Sequence, residues 1–148
     1  MRKNILQTRR GFTLIEIILS IALIGIMTAS AAPAYHALYL KNDLEVTANT
    51  LAHAVHRAQN LSRAVSNDSQ WGVSAQNGLL TVFQGTSYAN RNTAYDETFT
   101  IPSSIQFSQT ELVFQKITGE LQAPITITLT SSGDTKNISI NVKGTITY

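Results

Sequence analysis

An apolar run that begins at Phe12 and ends at Ala34 limits what this chain can become more than any other feature. It is about the length that crosses a bilayer core, roughly 20 residues. Arg2, Lys3, Arg9 and Arg10 precede it, and Gly11 marks the change of character. A basic flank ahead of an apolar run is the positive-inside pattern, which places residues 1–10 in the cytoplasm. One carboxylate, Glu16, stands near the start of the run. A lone acid in lipid costs about 2.5–3.5 kcal/mol on insertion scales, so Glu16 calls for a partner. Gly25 and Pro33 punctuate the run. Proline removes a helical hydrogen bond and crowds the preceding turn, so a bend is expected there.

The basic leader accounts for the overall charge. The 148-residue chain carries a formal +2, but beyond Gly11 seven Lys and Arg face nine Asp and Glu, a side-chain net of −2. The charge is thus no argument for nucleic-acid binding. With 14% charged residues and many Ser, Thr and Asn, the composition is that of an exported β-rich domain more than of a cytosolic enzyme. There are no cysteines, hence no disulfide framework and no thiolate metal site.

Helical periodicity continues past Pro33. Leu44, Leu51, Val55, Ala58, Ser62 and Val65 form one stripe, widened by Ala48, Ala54 and Leu61, with Asp43, Glu45, Arg57 and Arg63 mostly off it. The pattern predicts one helix from Phe12 to Val65, ended by Ser66-Asn67-Asp68-Ser69. Strand patterns follow. Trp71–Val73 and Leu79–Phe83 flank Gln76-Asn77-Gly78, a hairpin signal. Gly85–Glu97 is expected to be a polar loop, followed by short strands at Phe99–Ile101, Ile105–Phe107 and Leu112–Phe114. Ile125–Thr130, Ile138–Val142 and Thr145–Tyr148 form a meander with turns at Ser131–Asp134 and Lys143–Gly144. Period-two alternation leaves one sheet face in need of cover, and the amphipathic helix supplies it. The expected fold is α+β, with residues 44–65 of the helix packed on an antiparallel sheet. The organisation is a leader (1–11), a transmembrane or filament-core helix (12–34), its amphipathic continuation (35–66) and an exported β domain (67–148).

Residues that carry chemistry are sparse. His53 and His56 share a helix face, but no Asp, Glu or Cys one turn away completes a metal site. Asp96-Glu97 and Gly133-Asp134 read as solvated loop residues, and the latter lacks the spacing of a calcium loop. No phosphate loop, carboxylate pair or activated nucleophile is present, so no enzymatic activity, metal or cofactor is expected. Trp71 reads as a core aromatic, and Tyr88 and Tyr95 as exposed loop residues.

Gly11-Phe12-Thr13-Leu14-Ile15-Glu16, after a short basic leader and ahead of an apolar helix, resembles the N-terminus of type IV prepilins and type II secretion pseudopilins. The resemblance implies a pilin-like fold and cleavage by prepilin peptidase after Gly11. It also implies N-methylation of Phe12 and a filament-assembly role for Glu16, with Pro33 at the position of the family's helix proline. Glu16 would then pair with the α-amine of Phe12 on a neighbouring subunit, because a neutralised acid escapes the penalty of a lone one. Partners would be other pilin or pseudopilin subunits, the peptidase and the inner membrane. The protein would first be a single-pass inner-membrane protein with an exported C-terminal domain, and then part of an extracytoplasmic filament.

Beyond Ala34 the pattern is similar to the GspH/FimT group of minor pseudopilins and minor pilins, which implies a position near the filament tip. Some pilins of that group bind DNA through arginines after a C-terminal glycine. Here that stretch is Gly144-Thr145-Ile146-Thr147-Tyr148, without arginine and with only Lys136 and Lys143 near it, so nucleic acid is not an expected partner. Three other readings stay open. One is a DNA- or surface-binding adhesive subunit. Another is a secreted β domain released by an ordinary signal peptide at Ala29-Ser30-Ala31 or Ala32-Pro33-Ala34, and the last is a plain single-span anchor.

Overall fold

A computed structural model describes residues 11–76 and 78–148, without the side chains of residues 30–34, 36 and 37. The leader through Arg10, Asn77 and the side chain of Pro33, on which several expectations fall, lie outside the described residues. The chain divides into two compact units at residue 38, and one helix, α1 (Leu14–Arg63), contributes to both.

In the first unit, Gly11, Phe12 and Thr13 are not helical. The helix therefore begins two residues later than the expected Phe12, and Thr13 is the residue that starts it. Its carbonyl accepts the N–H of Ile17 at 3.2 Å, the first full helical bond, and its Oγ1 accepts the N–H of Glu16 at 3.4 Å. That is the arrangement of an N-cap threonine, which satisfies a donor the first turn leaves orphaned. The helical assignment runs through Gly25 and Pro33 without interruption.

In the second unit, two four-stranded antiparallel sheets replace the single sheet expected. The first has the order β3-β2-β1-β5, from β1 (Trp71–Gln76), β2 (Leu79–Gln84), β3 (Asn92–Thr100) and β5 (Glu111–Phe114). The second has the order β4-β6-β7-β8, from β4 (Gln106–Phe107), β6 (Ile125–Ser131), β7 (Asp134–Ile140) and β8 (Ile146–Thr147). β1 and β2 pair as the expected antiparallel hairpin, with Gln76 opposite Leu79. Alternation in β6 holds: Ile127 and Leu129 are buried, while Thr126 is exposed and Thr128 and Thr130 are half-buried.

Helix residues Leu44, Ala48, Leu51, Ala54, Val55 and Ala58 join one core with Trp71, Val73, Val82 and Phe114 of the first sheet and Ile127, Leu129, Ile138 and Ile140 of the second. Small residues along this face let the helix backbone come close to both sheets. A buried tie to the first sheet is Ser62, whose Oγ accepts the Trp71 N–H at 3.0 Å and donates to the Phe114 carbonyl at 3.3 Å.

Three local expectations are corrected. The helix stops at Arg63, and Val65 turns left-handed with φ 52° ahead of a short 3-10 turn, Ser66–Asp68, so Val65 belongs to the exit and not to the stripe. The apolar period alone could not show this, because Val65 keeps the right spacing. The polar loop is shorter than Gly85–Glu97, since its second half is β3. Every residue of that edge strand is exposed or half-buried, which removes the alternation that marks a strand. Likewise β7 begins at Asp134, four residues before Ile138, because its polar first half lies at an exposed hairpin end.

Candidate functional site: the N-terminal segment

Gly11 and Phe12 are both exposed, Phe12 to 79%, and neither is in the helix. Thr13 makes this so: capping fixes the helix start at Leu14, and the Gly11–Phe12 peptide bond stays outside the helical hydrogen-bond ladder. A peptidase needs an extended, accessible bond, and helical geometry would deny it one. Glu16 sits in the first turn of α1, where the positive end of the helix dipole favours a carboxylate. Its side chain is exposed and enters no ion pair among the described residues.

From Leu14 to Met27 the large apolar side chains are exposed around the whole helix, Ile17 and Ile18 as well as Ile21 and Ile24. An all-round apolar helix is not the half-buried helix of a soluble domain; it needs lipid or other helices on every side. The polar interruptions are neutralised locally. Ser20 Oγ donates to the Glu16 carbonyl at 2.7 Å, and Thr28 Oγ1 to the Ile24 carbonyl at 2.9 Å. Neither hydroxyl therefore brings an unpaired donor into an apolar medium. Among the described residues no helix is long and apolar enough to cross a membrane. The apolar stretch of α1 with described side chains ends at Ala29, and the side chains of residues 30–34, which continue it in sequence, are not described. Gly25 lies within this stretch with nothing packed against it.

Elsewhere the structure disperses the other candidates. His53 and His56 are exposed on α1. Trp71 is buried, donates Nε1–H to the Ser66 carbonyl at 3.1 Å and meets Tyr95 edge-on at 6.4 Å. Tyr95 therefore belongs to β3 and not to a loop, while Tyr88 is half-buried against Phe83 and under the Arg91 guanidinium, 3.7 Å from its ring centre.

Asp96 and Glu97 are not free loop acids. Asp96 binds Arg91 at 2.8 Å, raising the Arg91 pKa mainly through that hydrogen bond. Glu97 holds Arg57 of α1 by two of its N–H groups, at 3.1 and 2.8 Å. Hydrogen bonding to Glu97, and then its charge, raise the Arg57 pKa. Lys136 is paired with Glu45, which leaves Lys143 of the two lysines near the C-terminus without an ion pair among the described residues.

Sequence reasoning missed two contributors. Thr13 was legible in the Thr-x-x-Glu spacing ahead of an apolar run, a capping-box signature. Gln59 was not. Its buried amide donates to the carbonyls of Gly119 at 2.8 Å and Lys143 at 2.6 Å, tying the end of α1 to two loops far along the chain.

An accessible bond ahead of a capped apolar helix, joined to an α+β domain, defines the class: a chain with an N-terminal processing and anchoring signal. A family model described as the prokaryotic N-terminal methylation motif matches residues 6–32. The chain thus carries a type IV prepilin-like signal, which marks a substrate of prepilin peptidase. No curated protein and no solved structure matches the chain.

Proposed function

We propose that this protein is a non-catalytic structural subunit, a minor pilin or pseudopilin. In this reading prepilin peptidase cuts between Gly11 and Phe12 and methylates the new Phe12 amine. The all-round apolar start of α1, within the methylation-motif match, is the observation that carries the reading. Such a helix has two suitable environments, and the mature protein uses them in turn. It first spans the inner membrane through residues 12–34, with its β domain exported, and then packs among like helices in a type IV pilus or type II secretion pseudopilus. Glu16 pairs with the Phe12 amine of a neighbouring subunit and fixes the axial register. The pilin-like fold rests on the resemblance to type IV prepilins and pseudopilins, and the position near the filament tip on the GspH/FimT resemblance.

Mass spectrometry of the mature N-terminus tests the proposal. N-methylated Phe12 is the expected result. A first residue near Ala31 or Ala32 would replace the filament subunit with a secreted domain, and an intact Met1 would leave a plain anchor.

A further inference from the structure

We infer that β3 is a docking edge for an extended segment of a different polypeptide, which adds to the first sheet as an antiparallel strand. Among the described residues the two sheets end in four edge strands, β3 and β5 in the first and β4 and β8 in the second. A free edge is a template for pairing, and folded proteins blunt it by keeping it short or by placing lysine, proline, a bulge or charge along it. β5 has four residues, and β4 and β8 have two each, so those edges have the protection of shortness. β3 runs for nine, Asn92–Thr100, without lysine or proline. Its two acids do not guard it, because Asp96 is paired with Arg91 and Glu97 with Arg57. The bulge between Val82 and Gln84 lies ahead of Glu97 and leaves Glu97–Thr100 in regular register.

The register fixes which backbone groups are open. Ile101 donates its N–H to the Gly78 carbonyl at 2.9 Å, and Phe99 and Glu97 lie opposite Leu80 and Val82. Antiparallel strands exchange hydrogen bonds at every second residue, so Ile101, Phe99 and Glu97 turn their backbone groups towards β2, and Thr98 and Thr100 turn theirs outward. Among the described residues no other strand pairs with β3. The N–H and C=O groups of Thr98 and Thr100 therefore repeat along the edge at about 7 Å, two residues at roughly 3.4 Å each. An extended backbone brings acceptors and donors at that same spacing.

The side chains set the chemistry of the occupant. Tyr95 meets Trp71, Glu97 meets Arg57 of α1, and Phe99 lies opposite the core residue Leu80, so these three form the row on the α1 side. Tyr95 and Phe99 remain exposed within it. Thr98 and Thr100 belong to the other row, also exposed. An incoming strand thus meets aromatic surface at one set of alternate positions and hydroxyls at the other, and the segment that fits alternates β-branched apolar residues with threonine or serine. A second copy of β3 fits badly in each register that opposes outward-facing residues. Centred on Thr98, the pairing sets Glu97 against Phe99 twice; centred on Glu97, it sets like charges together; centred on Phe99, it brings Pro102, which has no N–H, opposite Asp96.

The probe is a capped, fluorescent peptide, Lys-Thr-Val-Thr-Val-Thr-Val-Thr-Lys, and the receptor is the full-length protein in detergent micelles. Saturable binding, read by fluorescence anisotropy, is the expected result. In the antiparallel arrangement the threonines of the peptide lie opposite Thr98 and Thr100 and exchange hydrogen bonds with them. Methylating the threonine nitrogens of the peptide should therefore weaken binding at least about tenfold, whereas methylating the valine nitrogens should change it by less than about twofold. On the protein, Thr98→Pro removes an outward N–H that the ladder with β2 does not use. It should keep the native melting temperature and lose at least about tenfold in affinity. No saturable binding, equal loss from both methylated peptides, or a folded Thr98→Pro that binds like the native chain overturns the inference. If Thr98→Pro does not fold, the two methylated peptides decide alone. Chemical crosslinking of the protein without peptide to a dimer that Thr98→Pro abolishes would give the edge to a second copy, and overturns the inference as well.

Discussion

Glu16 is the residue on which assembly turns in the proposed role, and its surroundings make the dependence measurable. In the isolated chain it is an exposed acid in an apolar helix with no ion pair among the described residues. Glu16→Ala removes the penalty of a lone acid in lipid and with it the gain on docking against the Phe12 amine. Processing at Gly11 is expected to continue, and incorporation into filaments to fall at least about tenfold, since each 1.4 kcal/mol is a factor of ten. Quantifying mature subunit in sheared filaments against membranes checks this.

Gln59 offers a stability test of another kind. Gln59→Ala leaves the Gly119 carbonyl without its Gln59 donor and the Lys143 carbonyl with the 3.4 Å bond from Arg63, and is expected to cost about 1–3 kcal/mol. Gly144→Ala should cost more, because Gly144 has φ 81° and a side chain there would run into the Gln59 amide. Trp71, the one tryptophan, is buried in the core, so its fluorescence in detergent-solubilised protein follows both unfolding transitions.

At the scale of elements, what the sequence made legible depended on whether a segment had one wet face and one dry face. The helix stripe through Leu44 and Leu51 and the alternating Ile and Thr of β6 met that condition, whereas β1 and β2, buried on both faces, were legible from their apolar runs. β3 offered neither signal. It is an edge strand without a dry face, and its Glu97 looked like a loop acid because an ion pair formed across forty residues leaves no local signature. The helix exit was hidden for a related reason: spacing reports which side a residue is on, and Val65 departs through its backbone angles instead.

Strain at the exit region gives a prediction of its own. Ile117 holds φ 77° while its side chain is 68% exposed, so the left-handed backbone is not offset by burial of the side chain. Ile117→Asn should stabilise the domain by about 1 kcal/mol, read as a higher melting temperature. A lower one would mean that the exposed isoleucine side chain makes compensating contacts.

For the whole molecule, the charged contacts of the domain are few and mostly exposed, so pH should act through single pairs. Lys116 holds Asp68 at 2.7 Å and depresses its pKa, chiefly through the hydrogen bond and then through charge. A carboxylate whose pKa is lower in the folded state contributes stability that is complete above its ordinary value and is lost as pH falls through the folded value. The difference in melting temperature between the native chain and Asp68→Asn should therefore be present at neutral pH and vanish in acid below the usual carboxylate range. A difference that persists there would assign the effect to the backbone turn at Ser66–Asp68 and not to the ion pair.

The Gln59 tie also sets an order on biogenesis. Its two acceptors belong to residues 119 and 143, the second of them 84 positions further along the chain. In the proposed role the leader stays in the cytoplasm, and a chain exported from the second half of α1 onward delivers Gln59 well before Gly119 and Lys143. The Gln59 amide in that role stays hydrated until both of its acceptors have crossed. A chain stopped between Gly119 and Lys143 would therefore carry the helix and the first sheet without the bond that fastens the end of α1 to the second.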